Sequence, residues 1–341
     1  MNNVVERLLN SETDRTVMHR DLVSLLQMDP GEFGREVSPL AREITRREFG
    51  KTITVSGLLA FSSYCYHDCT YCGLRTSNKI LPRYRLSTDE IKQVIDHFCE
   101  SGLERIFLVS GEDKAYPARD ICSVVSYAKE NGLHVNLALG EYPSETLNAF
   151  KDAGADGYTL KFETSNTESF AKIKPITTYE KRLNCIRSIR PAGLELGSGN
   201  IVGLENQTME DIASDILLMR ELDINWAPVV PYLPAPGTPM AEHTPMGDVA
   251  LTLRVLSIVR ILMPNVLITA SQPSQGSKLG FSDPEGNKNA LDAGSNVIFV
   301  DMTPQAVRKE FKVTPGRILP GLVQVDAMLE SMDLERMKSC S

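Results

Sequence analysis

Long apolar stretches and blocks of positive charge are both missing from this 341-residue sequence. No run approaches the ~18 apolar residues that a membrane-spanning helix requires, and residues 1–7 contain no apolar signal-peptide core. The 36 basic residues are outnumbered by 44 acidic ones, and the net charge of −8 includes no basic block. Nucleic acid is therefore not an expected partner, and we expect a soluble cytoplasmic protein that has no membrane partner.

A disulfide framework is not expected either. The sequence has seven cysteines, an odd number, and three of them are clustered. This usage indicates a reducing compartment, where thiols serve metal binding or catalysis rather than cross-linking. The hydrophobic content of 42% is sufficient for a large core.

The clustered cysteines form a C-x3-C-x2-C array of Cys65, Cys69 and Cys72. Three thiolates at this spacing can hold three irons of a [4Fe–4S] cluster. The next cysteine, Cys99, lies one helix further on, so one iron stays open for a substrate or cofactor. That arrangement is typical of radical S-adenosylmethionine (SAM) enzymes, whose open iron chelates SAM. The alternatives are unrelated thiols or a zinc site. Structural zinc takes four protein ligands, and the nearby His67 lies inside the loop rather than at a zinc-finger spacing.

Short apolar strands alternate with helical segments along the chain, which predicts a parallel sheet with right-handed crossovers. We predict an α/β fold, a (β/α)8 TIM-type barrel. A six-stranded partial barrel and a doubly wound sheet are the alternatives. The chain is longer than the ~250 residues of a typical barrel. We therefore expect a helical extension at 1–48, the barrel at 49–305 and a C-terminal extension closing it at 306–341. Residues 272–289 are predicted to form one long loop. The candidate strands are 53–61, 105–110, 134–139, 157–162, 195–202, 225–230, 266–270 and 296–300.

Polar residues follow the predicted strands at the end where barrel active sites lie. Gly111 and Glu112 follow the second strand, where radical SAM proteins place acceptors for the SAM ammonium group; an ordinary turn is the alternative. Glu163 ends the fourth strand and can accept both ribose hydroxyls, unless it only pairs with Lys161 or Lys172.

Further candidates for SAM binding lie on the following segments. Arg182 on the next helix could pair with the SAM carboxylate through its guanidinium group, with a solvated charge as the alternative. Tyr71 can lean on the adenine ring or simply pack under the loop. Small residues end the fifth strand and leave backbone groups and an apolar wall for adenine, and the candidates there are Asn200, Ile201 and Gly203.

These motifs resemble the HydE family of [FeFe]-hydrogenase maturases, in order, over about residues 50–305. The Cys-Gly-Leu-Arg run at 72–75 is similar to HydE and not to the relatives 3-methylornithine synthase (PylB) and biotin synthase. Glu141 lies in one matching segment, and by this resemblance we expect it in the cofactor site. The matching segments are 61–65, 69–75, 78–79, 83–86, 110–113, 139–143, 182–185, 202–204, 231–239, 252–253 and 260–264.

The sequence departs from the HydE pattern at the expected substrate end. HydE members usually have Arg-His-Glu where this chain has Lys161, Phe162 and Glu163, and Ser271 and Gln272 replace a threonine-rich strand end. We expect Lys161, Phe162, Ser271 and Gln272 to line the substrate cavity. The C-terminal cysteines that hold a second cluster in some HydE proteins are absent, since only Cys340 remains.

The resemblance implies an enzyme in which a reduced [4Fe–4S] cluster cleaves SAM to methionine and a 5′-deoxyadenosyl radical. The implied substrate is a small iron–carbonyl–cyanide–cysteine complex supplied by another maturase, and a ferredoxin or flavodoxin would donate the electron. A PylB-like enzyme that rearranges an amino-acid-derived molecule is the alternative. Two further alternatives are an iron–sulfur electron-transfer protein and a non-catalytic cluster scaffold.

Overall fold

The computed structural model describes Val4, Arg7 and residues 14–315 and 319–337. Three of the described helices directly precede the first strand, and the first two of these three begin at an aspartate. Asp14 and Asp29 cap the first two helices with side-chain hydrogen bonds to backbone N–H groups, as N-cap carboxylates do. The helices are α1 (Arg15–Gln27), α2 (Pro30–Glu36) and α3 (Ser38–Phe49).

Parallel strands form the centre of the fold. The strands are β1 (Thr52–Ser62), β2 (Arg105–Ser110), β3 (His134–Ala138), β4 (Gly157–Thr159), β5 (Glu195–Gly197), β6 (Ile201–Val202), β7 (Trp226–Ala227), β8 (Val230–Pro231), β9 (Leu267–Ile268), β10 (Val297–Asp301) and β11 (Glu335–Arg336). The main sheet runs β10-β1-β2-β3-β4-β5-β7-β9, and β11 pairs with the start of β1. β6 and β8 pair separately, beyond β5 and β7.

The two ends of this sheet are joined to each other. The N–H of Ala270 donates to the carbonyl of Val297 at 2.7 Å, and the N–H of Asn296 donates to the carbonyl of Ile268 at 3.0 Å. Thr269 and Val297 form a parallel bridge at the same place. The predicted eight-stranded barrel is therefore confirmed, and the doubly wound sheet and the six-stranded barrel are wrong.

Helices cover the outside of the barrel. Ser87 and Thr208 form capping boxes at the starts of two of these helices, and Asp248 caps a third. In α4, Ile91, Ile95 and Phe98 are buried at helical spacing against the sheet. These helices are α4 (Thr88–Glu100), α5 (Ala118–Glu130), α6 (Ser144–Asp152), α7 (Thr167–Ile173), α8 (Tyr179–Ile189), α9 (Met209–Glu221), α10 (Val249–Leu262), α11 (Pro284–Asp292) and α12 (Leu322–Ser331), with 3-10 turns at Pro239–Glu242, Gly280–Ser282 and Arg308–Glu310.

The prediction of one long loop at 272–289 is wrong. A 3-10 turn occupies Gly280–Ser282, and α11 begins at Pro284. Asp283 accepts hydrogen bonds from the N–H groups of Glu285 and Gly286, and proline occupies the first helical turn, where it costs no hydrogen bond. The high content of Gly, Ser and Asn indicated a loop, although Asp283 and Pro284 form an ordinary helix start within it.

Three aromatic rings fill the barrel interior. The ring centroids of Phe107 and Trp226 lie 5.1 Å apart. The ring centroid of Phe299 lies 5.3 Å from that of Phe107 and 5.6 Å from that of Trp226. Phe107 and Trp226 line both the cavity at the carboxyl ends of the strands and a small void beneath it. These rings therefore form the floor of the upper cavity. No helix among the described residues is both long and apolar enough to cross a membrane.

Candidate active site

A cavity of about 340 Å³ opens at the carboxyl ends of the strands. Parallel strands bring their carboxyl ends to one face of a barrel, so residues distant in the chain meet there. The sequence-predicted site residues that line it are Cys65, Cys69, Tyr71, Cys72, Gly111, Glu112, Lys161, Glu163, Arg182 and Ile201.

The three clustered cysteines lie on one loop, residues 63–85, which we call the cysteine loop. The Arg83 guanidinium group holds both ends of this loop together. It donates to the Ser63 carbonyl at 2.5 Å, before the cysteines, and to the carbonyls of Leu74 and Arg75 at 2.9 and 2.7 Å, after them. Asp68 accepts both guanidinium hydrogen bonds of Arg75, at 2.9 and 2.7 Å. The loop is thus fixed by its own polar side chains.

The glycine at position 111 allows the cysteine loop to pack against the end of β2. A Cβ atom there would lie 2.1 Å from the Tyr64 carbonyl oxygen and 2.8 Å from Cys65 Cβ, both far inside contact distance. The N–H of Tyr66 donates to the Glu112 carbonyl at 3.2 Å across the same contact. The Gly-Glu pair therefore has a structural role in addition to any ligand contact.

The donor set fits a cluster held by three thiolates. Burial raises the pKa of the Cys65 and Cys72 thiols, so a bound metal is needed to favour their ionised form. Lys174 Nζ lies 3.4 Å from Cys69 Sγ and places a positive charge beside it. The other described cysteines lie outside the cavity, on the helices α4, α5 and α8, at Cys99, Cys122 and Cys185. Within the described chain, this cavity therefore offers three thiols and no fourth.

Glu112 is held by its neighbours in one orientation. Its Oε2 atom lies 2.5 Å from His67 Nε2, and its Oε1 atom accepts a hydrogen bond from the Glu141 N–H. Burial opposes ionisation, but His67 and Arg182 outweigh it and lower the pKa of the Glu112 carboxyl. Gly140 leaves room for this carboxylate, because a Cβ atom there would lie 2.1 Å from Glu112 Cδ. An ionised Glu112 can accept a hydrogen bond from a cationic ligand.

Glu163 has an unusual backbone conformation. Its φ of 68° lies in the left-handed region, which costs a non-glycine residue free energy and occurs often at functional sites. Its N–H donates to the Gly199 carbonyl, and its carbonyl accepts from the Ile201 N–H. Burial opposes ionisation of the side chain, yet Lys161 and Lys174 hold the pKa of the Glu163 carboxyl below its usual value. Lys161 Nζ lies 3.5 Å from Glu163 Oε2, so the predicted alternative of an ion pair to Lys161 coexists with the cavity position.

Arg182 is buried rather than solvated. Its Nε atom lies 2.9 Å from Glu141 Oε1, and both side chains are 4% exposed. Thr177 Oγ1 donates to the same carboxylate at 2.9 Å. Burial disfavours the guanidinium charge, but Glu141, Glu112 and Glu163 raise the pKa of Arg182 above its usual value. Glu141 does not line the cavity, and its observed contact is the support of Arg182.

The predicted adenine segment divides into one cavity residue and two supporting residues. Ile201 packs with Tyr232 and Met240, and Tyr71 packs against this apolar cluster. Asn200 is fully buried and donates to Asp215 Oδ2 at 2.9 Å. Gly203 has a φ of 90°, and its N–H donates to Gln207 Oε1 at 2.7 Å. Neither Asn200 nor Gly203 lines the cavity.

Of the four predicted substrate residues, only Lys161 lines the cavity. The expectation for Phe162 is wrong, because its side chain is fully buried in the main core. Neighbouring side chains of an extended segment point to opposite faces, and Lys161 and Glu163 occupy the cavity side.

The expectation for Ser271 and Gln272 is also wrong. Ser271 Oγ accepts the Phe299 N–H at 3.0 Å, and Gln272 Nε2 donates to the Val229 carbonyl at 2.7 Å. Both side chains are buried and hold the strands that close the barrel. They contribute to barrel closure rather than to the cavity lining.

The sequence analysis did not assign a site role to several polar residues in and behind the cavity, and four of them bear on the chemistry. They are His67, Lys174 and Thr159, which line the cavity, and Asp215 behind it. His67 could have been found, since it lies between two of the cysteines. Lys174 and Asp215 carry no motif, because Lys174 contacts Cys69 across 105 residues and the partners of Asp215 are scattered 8 to 50 residues away along the chain.

Comparison with known proteins agrees with the family resemblance seen in the sequence motifs. The profile of the radical SAM superfamily matches residues 59–219. The chain is 36% identical to the "[FeFe] hydrogenase maturase subunit HydE" of Thermotoga maritima, over 92% of this chain and 88% of that protein. It is 28% identical to 3-methylornithine synthase of Methanosarcina barkeri, over 92% of this chain and 84% of that protein.

The fold is also similar to solved structures. The crystal structure of methylornithine synthase (PylB) superposes with a TM-score of 0.84 at 24% identity, over 98% of this chain and 97% of that chain. At this identity the likeness concerns the fold, and it agrees with the barrel described above.

We predict one [4Fe–4S] cluster that depends on three cysteines. Cys65→Ala, Cys69→Ala and Cys72→Ala should each abolish it, because each removes one of three thiolate ligands. Cys99→Ala, Cys122→Ala and Cys340→Ala are the matched controls and should retain it; Cys340 lies outside the described residues. Iron and sulfide content and the visible spectrum of anaerobically reconstituted protein provide the measurement. About eight irons per chain would contradict the prediction, since that is the content of two such clusters.

We also predict that Lys174 tunes the cluster. Lys174→Gln should lower the midpoint potential, because it removes a positive charge beside Cys69 and reduction adds a negative one. Lys172→Gln on α7 is the matched control, since that side chain is exposed. Redox titration followed by electron paramagnetic resonance measures the shift. An equal potential in both variants would argue against the electrostatic role of Lys174.

Proposed function

The chain belongs to the radical SAM superfamily and, within it, to the HydE family, and from this membership we propose that it acts in the assembly of a hydrogenase active-site cofactor precursor. Enzymes of this superfamily use a [4Fe–4S] cluster and SAM, and this protein is such an enzyme. The alternatives of an electron-transfer protein and of a non-catalytic scaffold are therefore set aside.

The observation that carries the proposal is the convergence of three thiols, two carboxylates and a guanidinium group on one cavity. When bound, the reduced cluster supplies an electron that cleaves SAM to methionine and a 5′-deoxyadenosyl radical. We propose Cys65, Cys69 and Cys72 as the cluster ligands. The aromatic floor and the closed barrel would exclude water from the cavity, as a reactive radical requires.

The proposed SAM contacts follow from charge and position. Glu112 would accept the ammonium protons and Glu163 the ribose hydroxyls, since both carboxylates are buried and have lowered pKa values. Arg182 would attract the SAM carboxylate. Ile201 and Tyr71 would contact adenine, while Glu141, Asn200 and Gly203 would support these residues from behind.

The substrate and partners are proposed from the HydE relative. We propose a small iron complex or other small molecule as substrate, other hydrogenase maturases as partners, and a ferredoxin or flavodoxin as electron donor. A PylB-like rearrangement of an amino-acid-derived substrate is the second candidate, favoured by Lys161, whose amino group lines the cavity and is a possible partner for a substrate carboxylate. A cytoplasmic location and the division into 1–48, 49–305 and 306–341 remain part of the proposal; the six described cysteines, all outside disulfides, support the former.

SAM binding and cleavage test this proposal directly. Reconstituted, reduced protein should form 5′-deoxyadenosine from SAM. Glu163→Ala and Arg182→Ala should keep the cluster and weaken SAM binding by about 1–3 kcal/mol each, through loss of a charge-assisted hydrogen bond. Arg187→Ala, an exposed position on the same helix as Arg182, is the control. Unchanged SAM affinity in both variants would contradict the proposed SAM contacts. Absence of 5′-deoxyadenosine in the assay would contradict the proposed enzymatic activity.

Hydrogenase maturation tests the substrate. We expect weak complementation of a HydE deletion, because Lys161 presents a point charge where the HydE pattern has the planar fork of arginine. Lys161→Arg should improve complementation, measured as hydrogenase activity. Phe162→His is the matched control and should give no improvement, because Phe162 faces the core. Full maturation by the unmodified protein would show that Lys161 serves as well as arginine.

A further inference from the structure

A fully buried carboxylate lies behind the cavity on α9. Asp215 is 0% exposed and accepts four hydrogen bonds from uncharged donors. They come from the N–H and hydroxyl of Ser165 at 2.5 and 2.6 Å, Asn200 Nδ2 at 2.9 Å and Gln207 Nε2 at 3.4 Å. No lysine or arginine donates to it among the described hydrogen bonds. A buried carboxylate without an ion-pair partner is costly, so its retention calls for a reason.

The donors connect Asp215 to the segments that carry the proposed nucleoside contacts. Ser165 lies two residues after Glu163. Asn200 directly precedes Ile201 and forms a parallel bridge with Glu163. Gln207 links Asp215 to the same segment. Its Nε2 donates to the Ile201 carbonyl at 3.0 Å, and its Oε1 accepts a hydrogen bond from the Gly203 N–H. One side chain thus fastens the ends of β4 and β5 to α9.

Ionised Asp215 also determines the orientation of one amide group. A carboxylate only accepts hydrogen bonds, so Asn200 must turn Nδ2 toward it. Asn200 Oδ1 is then left as a buried acceptor that has no protein partner among the described residues. A protonated or amidated Asp215 would itself present a donor, and the amide of Asn200 would lose its single preferred orientation.

We propose that Asp215, in its ionised form, is a positioning residue that sets the affinity of the site for the nucleoside part of SAM. It acts through Asn200, Ser165 and Gln207 and touches neither cluster nor substrate. The inference rests on the proposed function, because it assumes that Glu163 and Ile201 contact the nucleoside.

The electrostatics supply the readout. Burial raises the pKa of Asp215 to about 7, although hydrogen bonds from Ser165 and Asn200 oppose the rise. A raised acid pKa means that the fold favours the neutral form, so this contribution to stability is lost as pH increases through about 7. Ionisation therefore costs folding stability while it orders the site, and stability and affinity should respond to pH in opposite directions. The other titratable groups that act on or respond to Asp215 are Asp211, Lys161 and Tyr179.

The test uses 5′-methylthioadenosine, which carries the adenine and ribose of SAM without its amino acid. An α-amino group titrates near pH ~8 and would confuse a profile measured with SAM itself. Binding to reconstituted holoprotein is measured by calorimetry between pH 6 and 8.5 for the unmodified protein, Asp215→Asn and Glu210→Gln. Glu210 is exposed on the same helix, so its variant is the matched charge control.

We expect the unmodified protein and the Glu210→Gln control to bind more weakly at pH 6 than at pH 8.5. Asp215→Asn should bind about tenfold more weakly at pH 8.5, with a flat profile, as expected for one lost charge-assisted hydrogen bond. Its cluster spectrum and thermal midpoint at pH 8.5 should be retained or improved.

Two outcomes would overturn the inference. One is equal affinity and an equal profile in Asp215→Asn, and the other is a flat profile in the unmodified protein, which decides the matter even if the variant does not fold. Failure of the unmodified holoprotein to cleave SAM would instead overturn the proposed function, so the two failures are distinguishable.

Discussion

Closure of the parallel sheet between β9 and β10 is the constraint on which the site depends. Two backbone hydrogen bonds, from Ala270 and Asn296, join these strands, and Arg260 reinforces them from α10. Its guanidinium group is fully buried and donates to the carbonyls of Gly294, Pro264 and Val266. Burial lowers the pKa of Arg260 to about 9, because the guanidinium charge is removed from water. Because the circle is closed, every strand delivers its carboxyl end to one opening, and the cysteine loop meets the carboxylates of β2 and β4.

Features that depend on local spacing could be predicted from the sequence. The three cysteines, the eight strands and the capping residues Ser87 and Thr208 each rest on a pattern within about one helical turn or one strand. Lys161 and Glu163 line the cavity two and four residues after β4 ends at Thr159, as an alternation of side chains with a two-residue period indicates. Phe162 was misplaced because the same alternation was not applied to it, although a two-residue period already assigns it to the opposite face.

Features that depend on contacts between distant segments could not be predicted. Ser271 and Gln272 resembled cavity residues by position, but the chain there turns to fasten β10 and α11 rather than continue toward the mouth. Lys174 reaches Cys69 across 105 residues, and Asp215 reaches Ser165 across 50. No period or motif encodes such pairings, since they arise from the closure itself and from the crossing of helices over it.

The site consists mostly of buried groups of opposite charge, and their burial affects both folding stability and ligand binding. Each buried carboxylate has a cationic or hydrogen-bonding neighbour: His67 for Glu112, Lys161 for Glu163 and Arg182 for Glu141. Desolvating such pairs costs folding free energy that their attraction only partly returns. The same pairs hold the charges in place before any ligand arrives, so a ligand with an ammonium group, a carboxylate and two hydroxyls would find its partners already oriented. Preorganised charges of this kind do not need to rearrange during the reaction, and this is where an enzyme gains most from them. The free energy spent on burial at the mouth of the barrel is therefore recovered as affinity and selectivity for a ligand of complementary charge.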